Sequence, residues 1–322
     1  MVSMVAVDAG TDTERTPIWL QDAVVSVRAL DALAGVGVLE LLAVSPRTTG
    51  ELLAGSNLAR RPLDLALDVA CHAGVVARDD DGRWSMPDPA ARFMLLDQGE
   101  VAELLRGAPP QFDAGNAMHS ADRYPQVVAR IGSMVDPFRG PIVDALTSPG
   151  QHVLEIGAGA SPWGRALCGA DPTTTVTAVD LPDVIDTTAH IVGEAGLTDR
   201  YRFVGADVFG GVDPGPADLV VVAGLCRLVG AARNAALFRD VAGWCSAEGR
   251  VGVVDAVATA EAREAGLSRY ELSLLTRTTE GRCWTLDHYA RWLTEAGLGD
   301  VELVSTARAE LSLVLARKAT TT

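Results

Sequence analysis

Two periods of hydrophobic positions divide this chain. From Pro17 to about Leu96 the period is helical: Leu20, Val24, Val27, Leu30, Leu33, Val38 and Leu41 recur at three- and four-residue steps, interrupted by Gly35 and Gly37. Thr48 or Thr49 can cap a short helix over GELLAGS. The stretch RRPLDLALDVACHAGVVARDDDGRWSMPDPAARFML then predicts a helix, an apolar strand, an acidic glycine turn and a second strand. Helices followed by such a hairpin form a winged-helix unit. From about Val101 to Leu146 the chain is richer in polar and aromatic positions and predicts a helical connector. Within it Phe112, His119, Tyr124, Met134, Phe138 and Arg139 are candidates for the roof of a pocket, although Met and aromatic residues at helical spacing are more often core.

Further on, short apolar runs alternate with helical segments. VLEIGAGASPWGRAL, from Val153 to Leu167, reads as a strand, a tight loop and a helix start. After it come VTAVD, a helix from Val184 to Ala195, YRFVGADVF, ADLVVVAGL, a helix from Ala231 to Cys245, GRVGVVDAV, a helix from about Leu286 to Ala296, VELVS and LSLVLAR. The alternation predicts an α/β fold, a doubly wound and mainly parallel sheet with helices on both faces. The last two apolar runs sit close in sequence and predict an antiparallel hairpin at the sheet edge. The expected organisation is a mostly helical winged-helix domain over 1–100, the connector over 101–146 and the sheet domain over 147–322.

Composition and charge narrow the partners. With 322 residues, 48% of them hydrophobic, the chain has ample material for buried cores. A formal charge of -15 opposes binding to nucleic acid or to an anionic membrane, since both need a positive face. Asp64 and Asp68 beside Arg60 and Arg61 likewise leave the winged helix too weak a basic face for DNA, so packing or dimerisation is its expected role. The five cysteines, Cys71, Cys168, Cys226, Cys245 and Cys283, are scattered and form no CxxC, which predicts reduced thiols in a cytoplasmic protein and no zinc site. MVSMVAVDAGTDTERT lacks the basic start and apolar stretch of a signal peptide, and no run has membrane-spanning length without a charge.

The loop after Val153 carries the candidate chemistry. Gly157 and Gly159 permit positive φ and leave no side chain between backbone and ligand, and Pro162 suits the first turn of the next helix. A βα turn that binds nothing has the same glycine signature. Glu155 narrows the choice, because a carboxylate two residues before the loop would repel a diphosphate on the helix N-terminus and attract a cofactor with a cationic end. Asp180, closing VTAVD, stands where an acid meets ribose hydroxyls; a plain helix cap is the alternative.

In order, VLEIGAGAS with Glu155, AVDLP with Asp180, GADVF with Asp207, and DLVVVAGL resemble the successive cofactor motifs of class I S-adenosylmethionine-dependent methyltransferases. The N-terminal helices and hairpin, with the closing TEGRCWTLDHYARWLTEAGL, resemble the small-molecule O-methyltransferases of bacteria and plants that carry an N-terminal dimerisation domain. The resemblance implies a Rossmann-like domain, S-adenosylmethionine as cofactor, no metal, a small-molecule substrate of bacterial secondary metabolism, and a homodimer. It implies that Glu155, Gly157, Ala158 and Gly159 hold the methionine part. Asp180 and Leu181 would meet the ribose, and Ala206, Asp207, Val208 and Phe209 the adenine, with Ala223 bordering the same site. For Asp207 a turn residue is the alternative.

Two departures stand out against that resemblance. The family's segment after the fourth strand carries a His that deprotonates the substrate hydroxyl, and here Arg227 occupies its place in Leu225-Cys226-Arg227-Leu228. An arginine stays protonated and cannot take that proton. The acid that orients the His in the family is replaced by Cys283 in Gly281-Arg282-Cys283-Trp284-Thr285, and Asp255 has no obvious partner. Three readings follow. Methyl transfer could go to a nucleophile needing no base, such as an amine, an activated carbon or a carboxylate, with Arg227 binding an anionic group. The cofactor could serve other chemistry: cyclisation of its aminocarboxypropyl chain to an azetidine, hydroxylation, decarboxylation or a pericyclic rearrangement. The chain could also be a non-catalytic binding subunit. Arg227, Asp255 and His119 are the catalytic candidates, and Phe112, Tyr124, Arg139, Arg227, Tyr270, Leu274 and Trp284 the substrate candidates; the segment SRYELSLLTR also offers Arg277. His72, His152 and His190 are expected at surface or packing positions, and His288 is expected to be exposed.

Overall fold

A computed structural model describes residues 18–54, 56–87, 109–110, 113–265, 267–275, 277–308 and 310–318. The chain divides into two compact units, Met1–Leu96 and Asp97–Thr322. In the first, helices α1 (Ile18–Gly35), α2 (Val38–Val44), α3 (Thr49–Leu53) and α4 (Arg60–His72) precede an antiparallel hairpin of β1 (Ala77–Arg78) and β2 (Trp84–Ser85). Gly37, at φ 76°, turns the chain between α1 and α2. Thr48 caps α3 reciprocally: its hydroxyl accepts from the Glu51 N–H at 3.2 Å, and the Glu51 carboxylate accepts from the Thr48 N–H at 2.7 Å. Leu33, Leu39, Leu42, Leu67 and Trp84 close one core around these elements. The rest of the expected second strand lies beyond residue 87, outside the described residues.

The second unit begins with α5 (Ala117–Val135), a 3₁₀ turn (Asp136–Phe138) and α6 (Gly140–Leu146). It continues through β3 (His152–Ile156), α7 (Pro162–Ala170), β4 (Thr175–Asp180), α8 (Pro182–Glu194), β5 (Tyr201–Gly205), β6 (Ala217–Ala223), α9 (Ala231–Trp244) and β7 (Cys245–Asp255). The last elements are α10 (Ala260–Glu264), α11 (Leu267–Leu275), α12 (Leu286–Glu295), β8 (Leu298–Ser305) and β9 (Ser312–Lys318). The sheet runs β5-β4-β3-β6-β7-β9-β8, parallel from β5 to β7, with β9 antiparallel to both of its neighbours. Val153, Leu154 and Ile156 on β3 and Leu219 to Val222 on β6 are buried, as expected of parallel strands covered on both faces.

The hairpin of β8 and β9 forms as expected, but its later strand enters the sheet beside β7 and leaves β8 at the edge. Continuous burial along Ser312 to Ala316, against alternating burial in β8, is the physical reason. The expected strand YRFVGADVF is shorter than its apolar run: β5 stops at Gly205, and Val208–Gly210 form a 3₁₀ turn. A Cβ at Gly205 would come within 3.2 Å of the Pro182 backbone, and the Ala206 N–H donates to the Asp180 carbonyl at 2.8 Å, so the chain leaves the ladder there.

The strand order reverses between β3 and β6, which opens a crevice at their carboxyl ends. Helix α5 packs over that end. Its Val128 clusters with Ala160 and Val184, and a Cβ at Gly132 would lie 2.6 Å from the Ala160 Cβ. Among the described residues no helix is long and apolar enough to cross a membrane. Gly132→Ala is expected to destabilise by about 1–3 kcal/mol through overpacking. Gly243→Ala on α9, where a Cβ meets nothing within 4 Å, should instead stabilise by up to about 1 kcal/mol through helix propensity. Urea denaturation of both variants checks the pair; equal effects would show that α5 does not press on the loop.

Candidate active site

The glycine loop after β3 is built over a buried carboxylate. Glu155 is 0% exposed, and its oxygens accept from the Ser161 hydroxyl, the Trp163 N–H at 3.3 Å and the Gly164 N–H at 3.2 Å. Gly157 and Gly159 adopt φ of 69° and 52°, and Ser161 follows them into the left-handed region at 48°. Close packing reinforces the glycines, since a Cβ at 157 would lie 2.8 Å from Leu225 and one at 159 equally near Val128. The loop amides turn toward β4: Gly157 and Ala158 donate to the Val179 carbonyl and Gly159 to Asp180 Oδ2 at 2.8 Å. The Glu155 carboxylate is therefore engaged under the loop and shapes it from below.

Two further acids stand along the same edge. Asp180 ends β4, and its other oxygen accepts from the Leu181 N–H at 2.8 Å; burial raises its pKa, against the pull of these two bonds. Asp207, after β5, caps the 3₁₀ turn by accepting from the Phe209 N–H at 3.0 Å. Each carboxylate keeps lone pairs beyond these bonds. Over the Phe209 ring lies the Arg233 guanidinium, 4.1 Å from the centroid.

Across the crevice, the ends of β6 and β7 bring Arg227 to Asp255. Ala223 pairs with Val254 in the parallel ladder, so the turn after β6 passes beside the last residue of β7. Arg227 donates to Asp255 twice, from its backbone N–H and from Nη1, each at 3.1 Å. A third donor, the Ala256 N–H, reaches the same carboxylate at 2.8 Å. Asp255 thus has the partner that its position in the sequence did not reveal. Its side chain is 0% exposed and that of Arg227 is 20% exposed, so a ligand reaches the pair through the guanidinium. Burial pulls the pKa of Arg227 down, but Tyr270 and Asp255 more than offset this, and it remains above its ordinary value. Cys283 is a poor substitute for an acid: burial, then Glu271, pushes its thiol up to about 12.

Tyr124 connects the two sides. Its ring packs against the cluster of Val128, Ala160 and Val184 next to the loop, and against the cluster of Ala114, Leu228, Val229 and Leu274 on the other side. Burial raises its phenol pKa, and the charges acting on the hydroxyl are those of Arg277, Arg227 and Asp180. Tyr270 completes the group, with Arg227 5.4 Å and Arg277 5.7 Å from its ring centroid.

Other expected site residues lie elsewhere. Trp284 is core: it is 5% exposed, packs on Trp292, and donates from Nε1 to the Cys226 carbonyl at 2.9 Å, steadying the turn that bears Arg227. Leu274 is fully buried and backs Tyr124 from within the cluster of Ala114, Leu228 and Val229. Arg139 pairs with Asp136 at 2.7 Å and borders a hollow with Arg165 and Leu197, apart from Arg227 and Tyr270. His288 is half-buried rather than exposed, its ring 5.2 Å from that of Trp284. Phe112 and the His119 side chain lie outside the described residues. Val208 is buried beside the Asp207 cap, and Ala223 is half-buried at the end of β6. The sequence gave no signal for Ser161 and Tyr201, whose hydroxyls are 2.9 Å apart at the Glu155 carboxylate.

Burial raises the Glu155 pKa from 4.5 to about 7, with the Ser161, Gly164 and Trp163 bonds opposing it. A raised carboxyl pKa favours folding while the group is protonated, so this contribution is complete below about 4.5 and is lost as pH climbs to about 7, a change of about 3 kcal/mol. Thermal unfolding followed between pH 4.5 and 8 should show stability falling across this window, and a shallower fall in Glu155→Gln. Identical slopes in both proteins would contradict the assignment.

Comparison with known proteins agrees with this geometry. Residues 144–299 match the O-methyltransferase domain family. The tetracenomycin polyketide synthesis 8-O-methyl transferase TcmO of Streptomyces glaucescens is 24% identical over 90% of this chain and 93% of its own. In fold, human N-acetylserotonin methyltransferase, solved with S-adenosylmethionine, superposes with a TM-score of 0.68 at 20% identity, covering 97% of this chain and 100% of that one. NcsB1 from neocarzinostatin biosynthesis, solved with S-adenosylmethionine and 2-hydroxy-5-methyl naphthoic acid, gives 0.65 at 18% identity, covering 95% and 100%. The matched segment makes residues 144–299 similar to the O-methyltransferase domain family, and the sheet with its crevice has the fold of these S-adenosylmethionine-binding methyltransferases.

Proposed function

We propose that this protein methylates an anionic oxygen of a small molecule and removes no proton from it. The observation that carries the proposal is the Arg227–Asp255 pair at the position where the family's base stands. A guanidinium tied to a buried carboxylate cannot act as a base, but it attracts and orients an oxyanion.

The donor set at the loop fits the cofactor. Asp180 has acceptor capacity for a ribose diol, Asp207 for the exocyclic amine of adenine, and the glycines at 157 and 159 let a ligand approach the backbone. Glu155 acts as a positioning residue beneath the loop, with Ala158, Leu181, Ala206, Val208 and Ala223 around it. S-adenosylmethionine held there would supply an electrophilic methyl group on a sulfonium. Arg227 then holds the acceptor oxygen, and Tyr124 closes the space between the two halves of the pocket, so that rate comes from alignment.

TcmO, named for polyketide synthesis, supports a secondary-metabolite substrate. Residues 147–322 serve as the cofactor domain and 101–146 as its roof. The winged-helix unit over 1–100 serves as the contact of a homodimer: Val25, Val27, Val36, Leu41, Val44 and Leu65 are apolar and exposed on it. Five free cysteines suit a reducing cytoplasm.

Mass spectrometry tests the reaction. With S-adenosylmethionine and a panel of hydroxybenzoates and hydroxynaphthoates, S-adenosylhomocysteine should form only when an acceptor is present. Methylthioadenosine formed from the cofactor alone would replace methyl transfer with cyclisation. Arg227→His should leave cofactor affinity within a few fold and change turnover at least about tenfold; unchanged turnover would remove Arg227 from the mechanism.

A further inference from the structure

We infer that Arg277 determines substrate specificity by binding a carboxylate carried on the apolar body of the substrate, apart from the oxygen that faces Arg227. The inference rests on the reading of this pocket as the acceptor site.

Arg277 sits just beyond α11, and its backbone is fixed on both sides. Its N–H donates to the Leu274 carbonyl at 3.1 Å, and its own carbonyl accepts from the Ala114 N–H at 2.7 Å. The side chain turns back along the helix, where Nη2 donates to the Tyr270 hydroxyl at 3.2 Å. Nε, on the same edge of the guanidinium, is buried and has no hydrogen-bond partner. A buried donor left unmade on a cation is costly, and the Nε–Nη2 edge is the fork that grips a carboxylate through two parallel bonds.

The charges around it are unbalanced. Asp255 answers Arg227, whereas no carboxylate among the described residues makes an ion pair with Arg277. Both guanidinium groups lie near the Tyr270 ring, 5.4 and 5.7 Å from its centroid, so two cations share one phenol while Asp255 pairs with Arg227. The nearby wall is apolar, formed by Ala114, Leu228, Val229 and Leu274 with Tyr124 and Phe209 packed against them. Such a wall suits a flat apolar molecule bearing a carboxylate at one end, and offers nothing to a small inorganic anion. Tyr270 can yield Nη2 to that carboxylate and donate its own hydroxyl instead.

A carboxylate could also come from the amino-acid end of the cofactor, so the test separates the two sources. The full-length protein is saturated with S-adenosylhomocysteine and titrated with 2-naphthoate and its neutral analogue 2-naphthamide, following ligand fluorescence. The naphthoate should bind at least about tenfold more tightly than the amide. Arg277→Gln should remove that preference while leaving S-adenosylhomocysteine affinity within a few fold, Arg277→Lys should restore part of it, and Tyr270→Phe should weaken the naphthoate alone. Arg239→Gln, on the outer part of α9, controls for net charge and should change nothing. Equal binding of acid and amide by the unaltered protein would overturn the inference, as would an Arg277→Gln variant that loses the cofactor and keeps its preference for the acid. Neither measurement involves turnover, so a failure of methyl transfer and a failure of this site are told apart.

Discussion

A carboxylate with no access to water lies under the glycine loop, and the loop takes its shape from having to satisfy it. Glu155 sits on β3, an interior strand of the sheet, where an ionised group without partners would be far too costly. Its partners come from the start of α7: two backbone amides and the Ser161 hydroxyl. To present them, the chain must pass through three left-handed residues, at 157, 159 and 161. The glycines are thus needed for a turn that brings the helix N-terminus back over the acid, and for the close approach of Leu225 and Val128 to the loop backbone. Helix α5 presses Gly132 and Val128 onto that backbone from outside, so the loop is held from below by charge and from above by packing.

A second buried carboxylate, Asp255, is satisfied differently, and the contrast decides the chemistry. Glu155 is balanced by dipoles, which leaves its protonation open to change near neutrality. Asp255 is balanced by a full positive charge as well as two amides. Breaking such a pair from one side costs about 3–5 kcal/mol, so the guanidinium is fixed in place rather than free to sweep the pocket. A residue so fixed and so permanently charged is poorly suited to moving protons and well suited to presenting a constant field. The Cys226 turn is braced for this purpose, its carbonyl accepting from both Asn234 and Trp284.

Much of this was legible in the sequence. Parallel strands buried on both faces leave continuous apolar runs, and β3, β4, β6 and β7 were readable from theirs. The acids were readable because Glu155 interrupts such a run just before its glycines, and Asp180 and Asp207 close or follow one. What escaped depends on contacts between distant segments. Asp255 looked partnerless because its partner lies 28 residues away, at the end of a neighbouring strand, and only the sheet order makes them adjacent. Trp284 looked like a pocket residue because nothing local distinguishes an indole that stacks on a ligand from one whose N–H holds a backbone carbonyl. The insertion of β9 between β7 and β8 was hidden for the same reason: a hairpin is a local signal, whereas the strand that joins the sheet is chosen by burial.

Cofactor half and acceptor half meet at one side chain on α5. Tyr124 packs on the glycine-loop side against the cluster of Val128, Ala160 and Val184 and on the Arg227 side against the cluster that contains Leu228 and Leu274. Its hydroxyl lies in the combined field of Asp180 and the two arginines. Burial raises the pKa of that phenol, so it remains a donor between Asp180 on one side and Arg227 and Arg277 on the other. In an enzyme with a histidine base, a neutral donor at this place would compete for the acceptor oxygen. Beside a fixed arginine, under the proposed function, it would add to the same purpose, since both groups favour negative charge on an acceptor oxygen. On that proposal Arg227 and Tyr124 belong to one electrostatic arrangement, in which the pocket would select an acceptor by its charge before any bond is made.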